Sequence, residues 1–157
     1  YWRDVGTIDM YFRCSMDLIS VTPAFNLYNR RWPIRTHYDH NPPAKFVHDD
    51  VGGGRVGSAV NSIVSDGCII SGGRIERSIL FPRVRVNSYA HITDSIILDD
   101  VNIGRHAKIR RTIIDKGVDI PAGATIGYDL ARDAELYDVT EGGLVVLAKG
   151  TQVLAPQ

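Results

Sequence analysis

The stretch Asn61-Ser-Ile-Val-Ser-Asp-Gly-Cys-Ile-Ile-Ser-Gly-Gly-Arg-Ile-Glu-Arg-Ser-Ile-Leu80 opens a series in which an aliphatic residue returns every five or six positions. Its members are Val64, Ile70, Ile75, Leu80, Val86, Ile92, Ile97, Ile103, Ile109, Ile114, Ile120 and Ile126, at steps of 6, 5, 5, 6, 6, 5, 6, 6, 5, 6 and 6. Neither a helix with its period of 3.6 nor one strand with its period of 2 produces this spacing. Hexapeptide repeats predict a parallel β-helix, a prism in which each repeat supplies one short wall. Two positions before each aliphatic residue stands a small or β-branched one: Ser62, Cys68, Gly73, Ser78, Val84, Ala90, Ser95, Val101, Ala107, Thr112, Val118 and Ala124. Residues i and i−2 of a strand share a face, so each wall points one large and one small side chain inward. The expected fold class is mainly β, a single-stranded parallel β-helix. Three repeats make a coil of about 17 residues, giving about four coils and a column about 19 Å tall at roughly 4.8 Å per coil.

Between the inward pairs lie outward residues. Ile79, Ile96 and Ile113 recur every 17 residues and stack on one wall, with Ile63 starting the row. A second wall shows Arg74, His91, Lys108 and Thr125, and the third Ile69, Arg85, Asn102 and Asp119. Single surface isoleucines suit strands, but a stacked apolar row marks a contact surface. Ile79, Ile96 and Ile113 are therefore expected to be covered by another domain or subunit.

Outside the repeat, residues 1–20 hold a short motif and a helix whose face is Ile8, Tyr11, Phe12, Ser15, Leu18 and Ile19, with Thr7 as N-cap and Asp9 in the first turn. Residues 21–59 read as a connector punctuated by Trp32-Pro33, Pro42-Pro43 and Gly52-Gly53-Gly54. The triple glycine lacks the Gly-Lys-Ser/Thr ending of a phosphate loop and is expected to be a flexible loop. The repeat domain is 60–127, and residues 128–157 should cap the open end of the column.

The 157 residues carry 18 basic and 18 acidic side chains, a formal charge of zero. That gives no global electrostatic case for nucleic acid or an anionic membrane. No apolar run is long enough to span a bilayer. Cys14 and Cys68 make neither a metal spacing nor a disulfide framework and are read as buried free thiols in a reducing compartment. Tyr1-Trp-Arg-Asp-Val-Gly-Thr7 reads as the interior of a domain, so a piece of a longer protein is expected.

The repeat itself offers little chemistry. His91 and His106 lie on outward or turn positions; as an acyltransferase base either would need an orienting carboxylate in a cleft, and nothing ties Asp94 or Asp99 to either ring. They are read as surface histidines. The run Arg105-His-Ala-Lys-Ile-Arg-Arg111, followed by Lys116, spreads over successive walls and corners as a solvated face. A phosphate site completed from elsewhere is the alternative. Asp4, just before a helix, reads on spacing alone as a helix cap or an ion-pair partner of Arg3. The sharper alternative is a ligand for a hard divalent cation.

Several ordered motifs settle the matter differently. Tyr1-Trp-Arg-Asp-Val-Gly-Thr7, Trp32-Pro-Ile-Arg-Thr36, Pro42-Pro-Ala-Lys-Phe46, Asn61-Ser-Ile-Val-Ser65 and Arg83-Val-Arg-Val-Asn-Ser88 resemble bacterial glucose-1-phosphate adenylyltransferase over Tyr1 to about Lys149. In that family a Rossmann-like nucleotidyltransferase domain precedes a left-handed β-helix. The resemblance implies that 1–20 hold the terminal helix of the first domain and that the column is left-handed, against the usual right-handed preference of crossovers. It also implies the conversion of ATP and glucose 1-phosphate to ADP-glucose and pyrophosphate, for glycogen synthesis, by a cytoplasmic homotetramer under control of phosphorylated metabolites. Asp4 takes the position of the family's Mg²⁺ ligand. Lys116 and Lys149 fall on basic effector-binding positions where some relatives carry arginine, so the charge is kept and the bidentate fork lost. A further basic position falls on Val153, a departure from the pattern. The nucleotide loop and most of the sugar-phosphate pocket are not in this sequence, so these residues alone are expected to be inactive. The other readings are a non-catalytic regulatory subunit of the same fold and a trimeric hexapeptide acyltransferase.

Overall fold

A computed structural model describes residues 1–50 and 52–156. The first element is helix α1 (Ile8–Asp17), begun by Thr7, whose hydroxyl accepts the Met10 N–H at 3.2 Å. Irregular chain then leads to β1 (Lys45–Val47), the hairpin β2 (Asp49–Asp50) and β3 (Arg55–Val56), and β4 (Ser58–Val60). The repeat supplies β5 (Ile63–Val64), β6 (Ile69–Ser71), β7 (Arg74–Glu76), β8 (Ile79–Leu80), β9 (Arg85–Val86), β10 (His91–Thr93), β11 (Ile96–Ile97) and β12 (Asn102–Ile103). It continues with β13 (Lys108–Arg110), β14 (Thr112–Ile114), β15 (Asp119–Ile120) and β16 (Thr125–Ile126). Helix α2 (Leu130–Leu136), β17 (Asp138–Val139) and β18 (Val145–Leu147) follow.

Each ladder residue has a strand of its own, and the strands stack into three parallel walls. One is β1-β6-β9-β12-β15, the next β4-β7-β10-β13-β16, the third β5-β8-β11-β14-β18 with β17 antiparallel at its edge. Register brings like residues over one another, as in Ile75, Ile92, Ile109 and Ile126, or Leu80, Ile97, Ile114 and Leu147. From Ile70 onward every ladder residue is essentially sealed from solvent; Val64, at the open upper end, is half-buried. The twelve strands β5 to β16 are the four coils of the regular repeat. β1 and β4 extend it upward and β18 downward, so parallel pairing begins at Lys45, inside the stretch read as connector. The triple glycine forms the turn of the β2–β3 hairpin, where the Asp50 carboxylate accepts the Gly53 N–H at 2.9 Å.

The small inward residues do more than leave room. Ser62, Ser78, Ser95 and Thr112 form a stack in which each hydroxyl accepts the backbone N–H of the next member at 3.1–3.2 Å and donates to the carbonyl two residues earlier in its own chain. Buried polar groups at that corner are thereby paired. The chain turns each corner through a residue of positive φ, in three columns: Asn61, Arg77, Asp94, Arg111; Gly67, Arg83, Asp100, Gly117; and Gly72, Tyr89, His106, Gly123.

Helix α1 lies over the wall of Ile79, Ile96 and Ile113. Phe12 and Met16 pack with Ile96, Ile113, Leu144, Phe81 and Leu98. Ile96 is 0% exposed and Ile79 and Ile113 are 6% exposed. The contacting face differs from the expected one: Ile8 and Tyr11 are exposed. The helix is apolar on two sides, and the wall takes the side that carries Phe12 and Met16, one turn apart.

Candidate functional site

Two loci carry the polar chemistry. The first is the segment before α1. Asp4 Oδ1 accepts the Gly6 N–H at 3.0 Å, which fixes the carboxylate on the approach to the helix. Arg3 pairs instead with Asp17, at 3.2 Å, so it does not neutralise Asp4. The segment is exposed, and among the described residues no group of three or more His, Cys, Asp or Glu side chains is arranged to hold a metal. A Mg²⁺ site built around phosphates needs only one or two protein carboxylates. Asp4, with its second oxygen uncommitted among the described hydrogen bonds, fits such a site as one ligand and not as a complete cage.

The second locus lies where β14 and β18 end. Ile114 is in register with Leu147, so Lys116 and Lys149, 33 residues apart in sequence, follow adjacent parallel strands by two residues each. Neighbouring strands are about 4.8 Å apart. Asp115 ties the two turns together. Its N–H donates to the Leu147 carbonyl at 2.9 Å, its Oδ1 accepts the Lys116 N–H at 2.7 Å and its Oδ2 accepts the Lys149 N–H at 3.2 Å. Both lysines are exposed, and neither is in a salt bridge among the described residues. Asp115 thereby fixes the backbones of two exposed lysines on adjacent corners, and cations so placed are suited to an anion. Val153 does not join them. It is half-buried against the foot of the core, an apolar plug where the resemblance places a basic residue.

The basic run disperses as the repeat requires. Arg105 lies 5.7 Å over the Tyr89 ring, and His106 stacks on Tyr89 with ring centroids 4.8 Å apart. Lys108 points out of its wall, Arg110 reaches the Gly127 carbonyl and the Tyr128 ring, and Arg111 donates to the Gly142 carbonyl at 2.7 Å. No acyltransferase geometry is present among the described residues. Asp94 is committed to Arg77 at 2.7 and 2.9 Å. His91 meets Glu76 only at 3.9 Å, and Glu76 is already paired with Arg74. Cys68 is buried, and desolvation pushes its thiol up to about 11, which makes it inert near neutrality.

Sequence reasoning missed Asp115, Phe81 and Leu98. Phe81 and Leu98 carry the same 17-residue signature as the isoleucine row, two positions on. Asp115 carried no signal, because its task depends on which strand pairs with β14.

The model of the family described as GlmU-like, C-terminal hexapeptide, matches residues 42–147. That match agrees with a left-handed β-helix and with the extent of strand pairing. A glucose-1-phosphate adenylyltransferase of Anaeromyxobacter sp. (strain Fw109-5) is 56% identical over 153 residues, covering 98% of this chain and 37% of that protein. The enzyme of the same name from Koribacter versatilis is 52% identical over 149 residues, 95% of this chain and 35% of its own length. That of Rhodopirellula baltica is 53% identical over 158 residues, covering 99% and 35%. The chain spans about a third of the length of the curated relatives it matches.

Proposed function

The chain belongs to the GlmU-like C-terminal hexapeptide family and matches the C-terminal part of glucose-1-phosphate adenylyltransferases, and from that premise we propose that it is the regulatory and assembly third of an enzyme making ADP-glucose. In the proposed reaction an oxygen of the glucose 1-phosphate phosphate bonds to the α-phosphorus of ATP, and the bond to the bridging oxygen breaks to release pyrophosphate. The observation that carries this reading is identity of 50–56% along nearly the whole chain, flanking motifs included as well as the repeat.

Asp4 is the residue of this chain that would hold Mg²⁺. The ion would supply charge neutralisation on the phosphates. Fixing of the Asp4 carboxylate by the Gly6 N–H supports that role, because a ligand already oriented costs less to engage. Lys116 and Lys149 would bind phosphorylated metabolites, and their union through Asp115 supports the assignment. A homotetramer working in the cytoplasm completes the proposal. No helix among the described residues is long and apolar enough to cross a membrane.

The test uses the full-length protein and this chain alone, each given ATP, glucose 1-phosphate and Mg²⁺, with ADP-glucose as the product measured. The full-length protein should form it, the chain alone should not, and Asp4→Asn should reduce the full-length rate by a factor of about 100 or more. An unaffected Asp4→Asn enzyme removes the metal role, and a full-length protein that makes no ADP-glucose removes the activity. Lys116→Ala and Lys149→Ala should weaken the response to phosphorylated effectors more than the unactivated rate.

A further inference from the structure

A contact between the two loci has no part in the chemistry described above. The Thr140 hydroxyl donates to Asp9 Oδ1 at 3.1 Å, joining residues 131 positions apart. Asp9 lies in the first turn of α1, five residues beyond Asp4. Thr140 begins the turn into β18. Its hydroxyl also accepts the Leu144 N–H at 3.2 Å, and its own N–H donates to the Leu144 carbonyl at 2.9 Å. Leu144 is 1% exposed and packs with Ile96, Ile113, Phe12 and Met16. The next residues are β18 and then Lys149, tied to Lys116 by Asp115. A continuous run of packed and hydrogen-bonded groups therefore leads from the lysine pair to the start of α1.

Gly142 shows how close the fit is. A Cβ there would stand 2.2 Å from Asp9 Oδ1, so any larger residue would push the Asp9 carboxylate out of its present position. Arg111 holds the same turn from the column side through the Gly142 carbonyl. Yet α1 has no fully buried residue. Within this chain the column holds α1 by the side that carries Phe12 and Met16, and helix shifts over such a seat are a common switching movement.

We propose that the Asp9–Thr140 hydrogen bond, seated on Gly142, is the joint through which an anion bound at Lys116 and Lys149 repositions α1 and the Asp4 segment attached to it. Asp9 and Thr140 are positioning residues. The inference rests on the effector reading of the two lysines. An anion held by both lysines biases the corners that follow β14 and β18, β18 transmits the shift to the turn ahead of it, the turn moves Asp9, and the helix carries the motion to its N-terminus. Such coupling requires the anion to bind one arrangement better than the other.

The test is made in the full-length enzyme with fructose 1,6-bisphosphate and AMP as probes. Thr140→Val keeps the shape and removes the hydroxyl, Thr140→Ser keeps the hydroxyl, and Gly142→Ala crowds the Asp9 carboxylate away from Thr140. The ratio of effector-saturated to effector-free kcat is measured beside probe binding by calorimetry. Thr140→Val and Gly142→Ala should move that ratio toward one, by roughly two- to thirtyfold where the wild-type response is large enough. Probe binding in the absence of substrate and the effector-free kcat should be unchanged, and Thr140→Ser should restore the wild-type ratio. A wild-type response that Lys116→Ala or Lys149→Ala abolishes and Thr140→Val leaves intact overturns the joint alone. Failure of Thr140→Ser to rescue also overturns it, since the hydroxyl is then not the active element. A wild-type enzyme indifferent to both probes overturns the effector reading and the joint with it.

Discussion

Ile96 and Ile97 are neighbours in β11, and both are 0% exposed, yet they should respond to truncation in different ways. Ile97 points into the prism, between Leu80 and Ile114 of the coils above and below. Ile96 points outward beneath Phe12 and Met16 of α1. Truncation to alanine removes three carbons in each case, worth about 2 kcal/mol of transfer free energy. At Ile97 the surrounding strands are locked by their ladders, a cavity remains, and the total cost should be about 3–4 kcal/mol. At Ile96 the partner is a helix without a buried residue, which can settle or detach as a unit. The loss should therefore appear in the seating of α1 and hardly at all in the column. Amide hydrogen exchange separates the two outcomes. In Ile96→Ala the α1 amides should exchange roughly thirtyfold faster, the equivalent of 2 kcal/mol, while β8, β11 and β14 keep their protection. In Ile97→Ala protection should fall throughout the column and the urea midpoint should drop. If Ile96→Ala leaves α1 exchange unchanged, the wall does not hold the helix. If it lowers protection in the column as much as Ile97→Ala does, the two faces of the strand are not energetically separate.

The hydroxyl stack and the buried thiol give two further expectations. Ser95→Ala leaves the buried Thr112 N–H without its acceptor, costing about 2 kcal/mol and roughly 4–8 °C in Tm; Ser62→Ala, at the half-buried upper end, should cost less, and equal melting shifts would show that depth in the stack is irrelevant. The Cys68 thiol, donating to the Phe81 carbonyl and desolvated, titrates at about 11 against 9.0 for an ordinary cysteine. Because the folded value is raised, the unfolded chain loses its proton first, so stability should decline from pH 9 to about 11 and then level off. Urea midpoints across that range should show a slope that Cys68→Ala reduces, the desolvated Tyr137 phenol, also raised, contributing in the same direction, and an identical slope in the variant would refute the assignment.

The architecture was legible because inward residues of a β-helix answer to one constraint, the width of the prism, and that constraint repeats without variation. The same constancy exposed Ile79, Ile96 and Ile113 as a row. What covers the row was not legible: α1 has apolar residues on two sides, and only docking selects Phe12 and Met16 over Ile8 and Tyr11. The start of pairing at Lys45 was hidden because the β2–β3 hairpin interrupts the period between β1 and β4. The lysine pair entered through family resemblance. Its geometry required knowing that β18, beyond the helix of the cap, returns to pair with β14, a long-range contact that no local pattern encodes.

The corners show which charges of the column are committed to the fold. A non-glycine residue with positive φ costs on the order of 1–3 kcal/mol, and the three corner columns accept eight, six of them paired with a counterpart a coil away. Arg77 pairs with Asp94, Arg83 makes two bonds to Asp100 at 2.7 and 2.9 Å, and Tyr89 stacks on His106. The Arg83 guanidinium holds the Asp100 carboxyl below its ordinary range, a sign that the charge is engaged even at an exposed site. Those arginines are occupied in offsetting the strain of the turn and have little charge to lend a ligand. The corner after β14 breaks the pattern. Gly117 stands where Arg83 and Asp100 stand above it, as Gly67 does at the upper end of the same column, so the turn needs no ionic partner. The carboxylate beside it, Asp115, takes backbone N–H groups, and Lys116 is left to solvent with Lys149 alongside. Lys116 stands at the level of Asp99 and Pro82 and not of the paired Arg83 and Asp100, and Gly117→Asp, which would add a carboxylate and restore strain at the same turn, should weaken anion binding there more than it weakens the column.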